Sequence, residues 1–292
     1  MTRASSIVLR VLALTIVMFV CFAVGSLVLG LPSGAEPSEQ SGAEVLPLLT
    51  VCLLNTIVLA HVILRSRWGG WKLIAAVCFV FYGAMTFMSQ IESAVFITTL
   101  PPGLLPRIFL MGVLISAPFS MVAVLILGKK RADLASAEPN TRLVMPPGDW
   151  AWKVAVLAAA YVLLYFTFGY FIAWQNPTLR EYYGGVDEGG FLVHMGTVVR
   201  DTPWMFPFQV LRGLFWIAIA LPLVRMMRGG WQETAVAVGL VFAVLMTGQL
   251  LLPNPYMPDT VRMTHLVETA SSNFLFGLLV GWLLTRGQPL PA

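Results

Sequence analysis

Eight mainly apolar stretches run through this chain, at 7–31, 45–64, 73–96, 104–127, 150–174, 205–224, 234–252 and 265–284. Each is close to the length of about 20 residues that a helix needs to cross a bilayer. In lipid every backbone N–H and C=O must be bonded internally, so such stretches are either helices or strands of a closed barrel. They are too long for barrel strands and lack ten-residue alternation, which leaves helices. Only 11% of the residues are charged and 58% are apolar, against roughly 25% charged in a soluble domain. The expectation is an all-α polytopic membrane protein of about eight transmembrane helices.

The basic residues set an orientation. With the N-terminus inside, thirteen of the 18 Lys and Arg residues fall on the inner side, whereas ten of the 14 acids fall outside. Both termini are therefore expected in the cytoplasm, and the membrane is expected to be a plasma (bacterial inner) membrane. The net charge of +4 is a topology signal, concentrated beside helix ends where anionic lipid attracts it. It points to membrane lipid as the partner and gives no reason to expect nucleic acid. The first apolar stretch is too long for a signal-peptide core and carries Arg10, so it reads as a retained helix. Cys21, Cys52 and Cys78 lie within apolar stretches and read as small packing residues.

The chain also reads as written twice. Arg65-Ser66-Arg67-Trp68-Gly69-Gly70-Trp71 and Arg225-Met226-Met227-Arg228-Gly229-Gly230-Trp231 share Arg-x-x-x-Gly-Gly-Trp at an offset of 160 residues, which also pairs Pro47 with Pro207. At an offset of 155, Arg107, Ser116 and Phe119 pair with Arg262, Ser271 and Phe274. Two four-helix repeats are expected, 1–135 and 150–292, joined by a cytoplasmic linker at 136–149 with Pro139, Pro146, Pro147 and Gly148. An even number of crossings makes the repeats parallel, related by an axis along the membrane normal. Two outer loops interrupt this plan. The 32–44 loop has the composition of a solvated linker. The 175–204 loop is long enough either to fold over the outer face as a cap or to serve as an ordinary connector.

The two halves differ where they are polar. Glu92, Arg212, His265 and Glu268 face apolar counterparts across the repeat, and all four fall toward the outer ends of their helices. Ionisable groups at such depth are costly unless paired or hydrated, which marks them as a candidate site. On the last helix His265, Glu268, Thr269, Ser272 and Asn273 share one face, and Asn273, Gly277 and Gly281 extend it as a groove that another helix can approach closely. Glu92, His265 and Glu268 are the candidate catalytic residues, suited to general acid–base work. The same three are the candidate ligands for a divalent metal, zinc or iron. Arg212, Gln209, Gln249 and Asn273 are candidate ligand-binding residues, with Arg212 expected to hold an anionic group. Arg107 and Arg262 read as anchors to headgroups or loop carbonyls, His194 as a solvated loop residue, and the aromatic run 161–174 as lipid-facing or packing.

Three functions fit these features. One is a metal- or acid–base-assisted enzyme acting on a lipid or envelope substrate at a site open to the outer leaflet. The second is a small-solute transporter, proton-coupled through Glu92 or Glu268, which would need a polar path onward to Asn55 and His61. The third is a structural subunit of a membrane complex, in which the polar cluster only fixes helix register.

Overall fold

The structure is a computed structural model, describing residues 3–30, 45–97, 100–131, 140–187 and 189–286. The 32–44 loop and the 136–139 part of the expected linker lie outside the described residues. Ten helices are described: α1 (Arg3–Leu29), α2 (Val45–Leu64), α3 (Gly70–Phe96), α4 (Leu104–Ile126), α5 (Pro147–Ala173), α6 (Pro177–Tyr182), α7 (Phe191–Asp201), α8 (Met205–Met226), α9 (Trp231–Leu245) and α10 (Asp259–Thr285). Among the described residues there is no strand, only an isolated antiparallel bridge between Ser66 and Met227.

Seven helices, α1 to α5, α8 and α10, are long and apolar enough to cross a membrane, which supports integration of the chain in a bilayer. The remaining expected stretch, 234–252, differs. Its helix α9 is 15 residues long by its bounds, ends in a π turn at Val241–Leu245, and is followed by a 3-10 turn at Gly248–Leu251. The physical reason lies in the local bonding. Thr247 returns its hydroxyl to the Ala243 carbonyl at 2.6 Å, a backbone competitor that bends helices. Even so, the path from Trp231 through Leu250 carries the chain from one end of the bundle to the other.

Within the first half, α1 packs on α2 and α4, and α3 packs on α4 and α2. Within the second half, α5 packs on α8 and α10, and α9 packs on α10 and α8. Across the middle, α2 meets α9 and α3 meets α8. The core is built on these contacts, from Leu59, Ile63, Phe81, Phe119, Trp216, Phe242 and Phe276, all with no more than 2% exposure.

The two Arg-x-x-x-Gly-Gly-Trp segments meet at one end of the bundle. The Arg67 amide donates to the Met226 carbonyl at 2.7 Å, and the Arg228 amide to the Arg65 carbonyl at 3.0 Å. Arg65 and Glu233 close the same junction with hydrogen bonds of 2.5 and 2.6 Å. Arg142, buried in the segment before α5, staples it. Its guanidinium donates to the carbonyls of Val224 at 3.0 Å and Met227 at 2.8 Å, to the Thr234 hydroxyl at 3.1 Å, and to the Gly229 carbonyl. These carbonyls include free acceptors at the end of α8, which a cation satisfies well. Lysine cannot reproduce this fork. Arg142→Lys is expected to cost about 1–2 kcal/mol, seen as a lower midpoint of thermal unfolding. An unchanged midpoint would show that water replaces the lost bonds.

Candidate functional site

At the opposite end of the bundle lies a chamber of about 530 Å³. Its walls come from the last turns of α3 and α5, from α7, from the turn after α9, and from the first turns of α10. Three of the helices that build it carry a π turn, at Gly83–Phe87 in α3, Gly169–Ala173 in α5 and Val241–Leu245 in α9, and the second of these lines the chamber. A π turn adds a residue to a helical turn, re-aims the side chains that follow and loosens carbonyls from the helical ladder. Glu92 follows the first of these turns, and Thr247 the third. Gln249 donates its amide to the Met85 carbonyl in the first turn, so it clips α3 to the end of α9 and does not line the chamber.

Arg212, on α8, is almost wholly buried, with both terminal nitrogens engaged and Nε left without a hydrogen-bond partner. Its Nη1 and Nη2 donate to the two carboxylate oxygens of Glu92 at 3.1 and 2.8 Å, and Nη1 also donates to Gln209 Oε1 at 3.0 Å. The guanidinium carbon lies 5.7, 5.8 and 5.9 Å from the ring centres of Tyr161, Tyr165 and Phe208. Aromatic faces and a two-pronged carboxylate are the environment that tolerates a dehydrated guanidinium. The anion expected at Arg212 is thus Glu92 itself.

A second polar chain crosses the chamber wall. The Tyr183 hydroxyl lies 3.0 Å from His265 Nε2, His265 Nδ1 lies 3.0 Å from Glu268 Oε2, and the Thr269 hydroxyl donates to the same oxygen at 3.3 Å. Burial, ahead of the Glu92 carboxylate, raises the Tyr183 phenol above its ordinary range, so it remains a neutral hydroxyl. With Tyr183 donating to Nε2, His265 carries its proton on Nδ1 and donates it to Glu268, so both ring nitrogens are satisfied.

Tyr183 is held there by the 175–204 segment, which the structure folds inward as α6 and α7. Asn176 caps α6 by accepting from the Thr178 amide at 3.0 Å, and its amide reaches the Thr264 hydroxyl of α10 at 2.7 Å. Tyr182 donates to the Tyr256 carbonyl at 2.7 Å, and Leu179, Ala173, Met257 and Val261 form a small apolar core beneath. His194 faces the chamber too, with its ring 5.2 Å from that of Trp174.

Behind the chamber wall is a compartment of about 20 Å³ lined by Glu92, Arg212, Glu268, Ser272 and Asn273, among others, room for about one water molecule. Below it the bundle is closed by aromatic rings. Tyr161 packs on Phe276 at 4.9 Å and Trp216 on Phe242 at 4.2 Å, and all four are buried. Neither cavity reaches Asn55 or His61.

The structure therefore gathers Glu92, Arg212, His265, Glu268 and Asn273 around two adjoining cavities, joins Gln209 to them only through Arg212, and sets Gln249 apart. Among the described residues no three His, Cys, Asp or Glu side chains converge as metal ligands. Glu92 is turned to Arg212, and both His265 nitrogens have protein partners, so the three expected ligands do not share a centre. Arg262 acts on loop carbonyls as expected, donating to Leu250 O at 2.5 Å. Tyr165, Tyr170 and Trp174 line the chamber, a third place beside the lipid-facing and packing ones expected for 161–174. Tyr183 was not singled out in the sequence because nothing local distinguishes it from Tyr182; only the fold of the segment chooses between them.

No family model, curated protein or solved structure matches the chain.

Proposed function

We propose that the protein is an acid–base-assisted enzyme of the membrane, acting on a lipid or envelope substrate held in the chamber. The observation that carries this reading is the Tyr183–His265–Glu268 chain, which opens on a cavity of about 530 Å³. Glu268 orients His265 and stabilises its protonated form, and the imidazole or the Tyr183 hydroxyl exchanges a proton with a substrate hydroxyl. Such transfer contributes about 10²–10⁴-fold to rate. No metal enters this scheme. Arg212 and Glu92 form its fixed electrostatic floor. The aromatic closure beneath the site favours chemistry at one face over passage through the bundle.

The scaffold reading belongs to the same proposal. Repeats at 1–135 and 150–292 with cytoplasmic termini are supported by the matched packing of α1–α4 and of α5, α8, α9 and α10. They are supported also by the antiparallel pairing of the two Arg-x-x-x-Gly-Gly-Trp segments, the pairing that a two-fold axis between them produces. The chamber then faces the outer leaflet of a plasma membrane.

The test is turnover in nanodiscs made from the host's own membrane lipids, followed by mass spectrometry. Wild type is expected to consume at least one lipid. His265→Gln and Glu268→Gln are expected to slow this by about 10²-fold or more, with unfolding midpoints near that of wild type. Consumption of no lipid, or losses that follow unfolding alone, would remove the enzymatic reading.

A further inference from the structure

The helix α7 is amphipathic in the wrong sense for a water-covered cap. His194, Thr197, Val198 and Asp201 face inward and line the chamber. Leu192, Val193 and Val199 face outward with exposures of 82%, 59% and 57%, and Arg200 joins them at the last turn, where it pairs with Asp201. A lid bathed in water would bury the apolar face and expose the polar one. The position of α7 explains the inversion. Its first residue, Phe191, stacks on Phe171 of α5 at 5.4 Å. Phe171 belongs to a membrane-spanning helix and is itself 57% exposed, so its free surface faces lipid. The helix α7 thus starts on the lipid-facing flank of the bundle. Trp204, exposed at its far end, is a residue type suited to the headgroup boundary.

The chamber behind α7 has apolar walls that include Phe96, Ile97, Phe166 and Met205. None of its described lining residues is Lys or Arg. The nearby guanidinium of Arg212 reaches only the small compartment and is neutralised by Glu92. Asp201 pairs with Arg200 at 2.9 Å. A phosphate headgroup would find no uncompensated cation on these walls, whereas Glu268, His265 and Tyr183 offer acceptors and donors to a hydroxyl.

We infer that α7 lies in the plane of the leaflet with its outer face in acyl chains, and that a neutral, hydroxyl-bearing lipid enters the chamber from the bilayer beside it. An amphipathic helix with its apolar face at the acyl boundary is a known membrane element. This deepens the proposed function, since it rests on the chamber being a lipid site and names the lipid's headgroup. The polar end of the lipid meets Tyr183 and His265, and its chains lie along Phe96 and Phe166.

Photocrosslinking tests this. Wild type is placed in nanodiscs containing a diacylglycerol with a diazirine in one chain, or the phosphatidic acid with the same chains, and adducts are mapped by mass spectrometry. With diacylglycerol, adducts are expected on Leu192 and Val199 and on Phe96 and Phe166. With phosphatidic acid the α7 adducts persist and the chamber adducts fall by about tenfold or more, a discrimination of about 1.4 kcal/mol. Absence of α7 adducts, or adducts confined to its outer face with both lipids, overturns the lateral route. Equal chamber labelling by both lipids overturns the neutral-headgroup assignment. Chamber labelling of wild type by diacylglycerol, in nanodiscs where no lipid is consumed, would sink the catalytic reading and leave this one standing.

Discussion

Glu92→Gln is expected to cost about 3–5 kcal/mol, the usual effect of removing one partner of a buried ion pair. The two side chains are unequally placed: Arg212 is 2% exposed and Glu92 30% exposed. Glutamine keeps the shape and one acceptor but leaves the guanidinium charge on α8 without a counter-ion. Gln209 supplies only a neutral oxygen, and the rings of Tyr161, Tyr165 and Phe208 recover a small part of the loss. Arginine does not escape by releasing its proton, so the charge stays buried or the helices part. Arg212→Met is expected to be milder, because the carboxylate it strands lies at the chamber edge and can gain water. The double variant Glu92→Gln/Arg212→Met is expected to be more stable than Glu92→Gln alone, since it removes both charges. Thermal unfolding of all four proteins in one detergent measures this cycle. A Glu92→Gln midpoint equal to that of wild type would mean that the guanidinium is hydrated, and that the pair does not hold α3 to α8.

How much of this was legible in the sequence depends on the range of the interaction involved. Membrane integration and all-helical structure follow from composition over windows of about 20 residues, and the bounds expected for 45–64 and 205–224 differ little from α2 and α8. Clustering of Glu92, Arg212, His265 and Glu268 was readable because an ionisable group at membrane depth needs a partner, and few were present. Choosing the partners was not possible from the sequence. The i,i+3 spacing of His265 and Glu268 puts them on one face but fits a metal pair as well as a hydrogen-bonded pair. Tyr183, which decides the role of His265, lies 82 residues away and is positioned by Asn176, Leu179 and Tyr182. The π turns escaped for a related reason. Gly83–Phe87 and Val241–Leu245 have ordinary helical composition, and a carbonyl in each is taken up by a side chain outside the turn, Met85 by Gln249 and Ala243 by Thr247. The interruption of the 234–252 stretch was therefore hidden as well. The polarity of α7 was legible only in part: its apolar and polar faces can be read from the pattern, but which face the chamber takes depends on Phe171 and Phe191 meeting.

Gly277→Val is expected to prevent α9 and α10 from packing, with loss of most folded protein. The groove of Asn273, Gly277 and Gly281 is occupied by the backbone of α9. A Cβ placed on Gly277 would lie 2.6 Å from the Gly239 Cα and 2.8 Å from its amide nitrogen. One on Gly281 would overlap the Ala235 Cα. These obstacles are backbone atoms, which cannot turn aside as a flexible side chain does, so the helices themselves must move apart. In a bilayer that contact is not replaced by any hydrophobic gain, because lipid tails are as apolar as the side chains they would cover. Gly277→Ala is accordingly expected to cost about 1–3 kcal/mol, and the branched valine more. The damage should reach the site as well, since α10 carries His265 and Glu268 while Tyr183 is held by α6, so a displaced α10 opens the Tyr183–His265 contact. Gly196→Ala supplies the control. A Cβ there meets nothing within 4 Å, and alanine favours the helix by up to about 1 kcal/mol. Size-exclusion profiles and unfolding midpoints of Gly277→Ala, Gly277→Val and Gly196→Ala decide the matter. If Gly277→Val folded as well as Gly196→Ala, the close crossing of α9 and α10 would be wrong, and with it the placement of His265 and Glu268 against Tyr183.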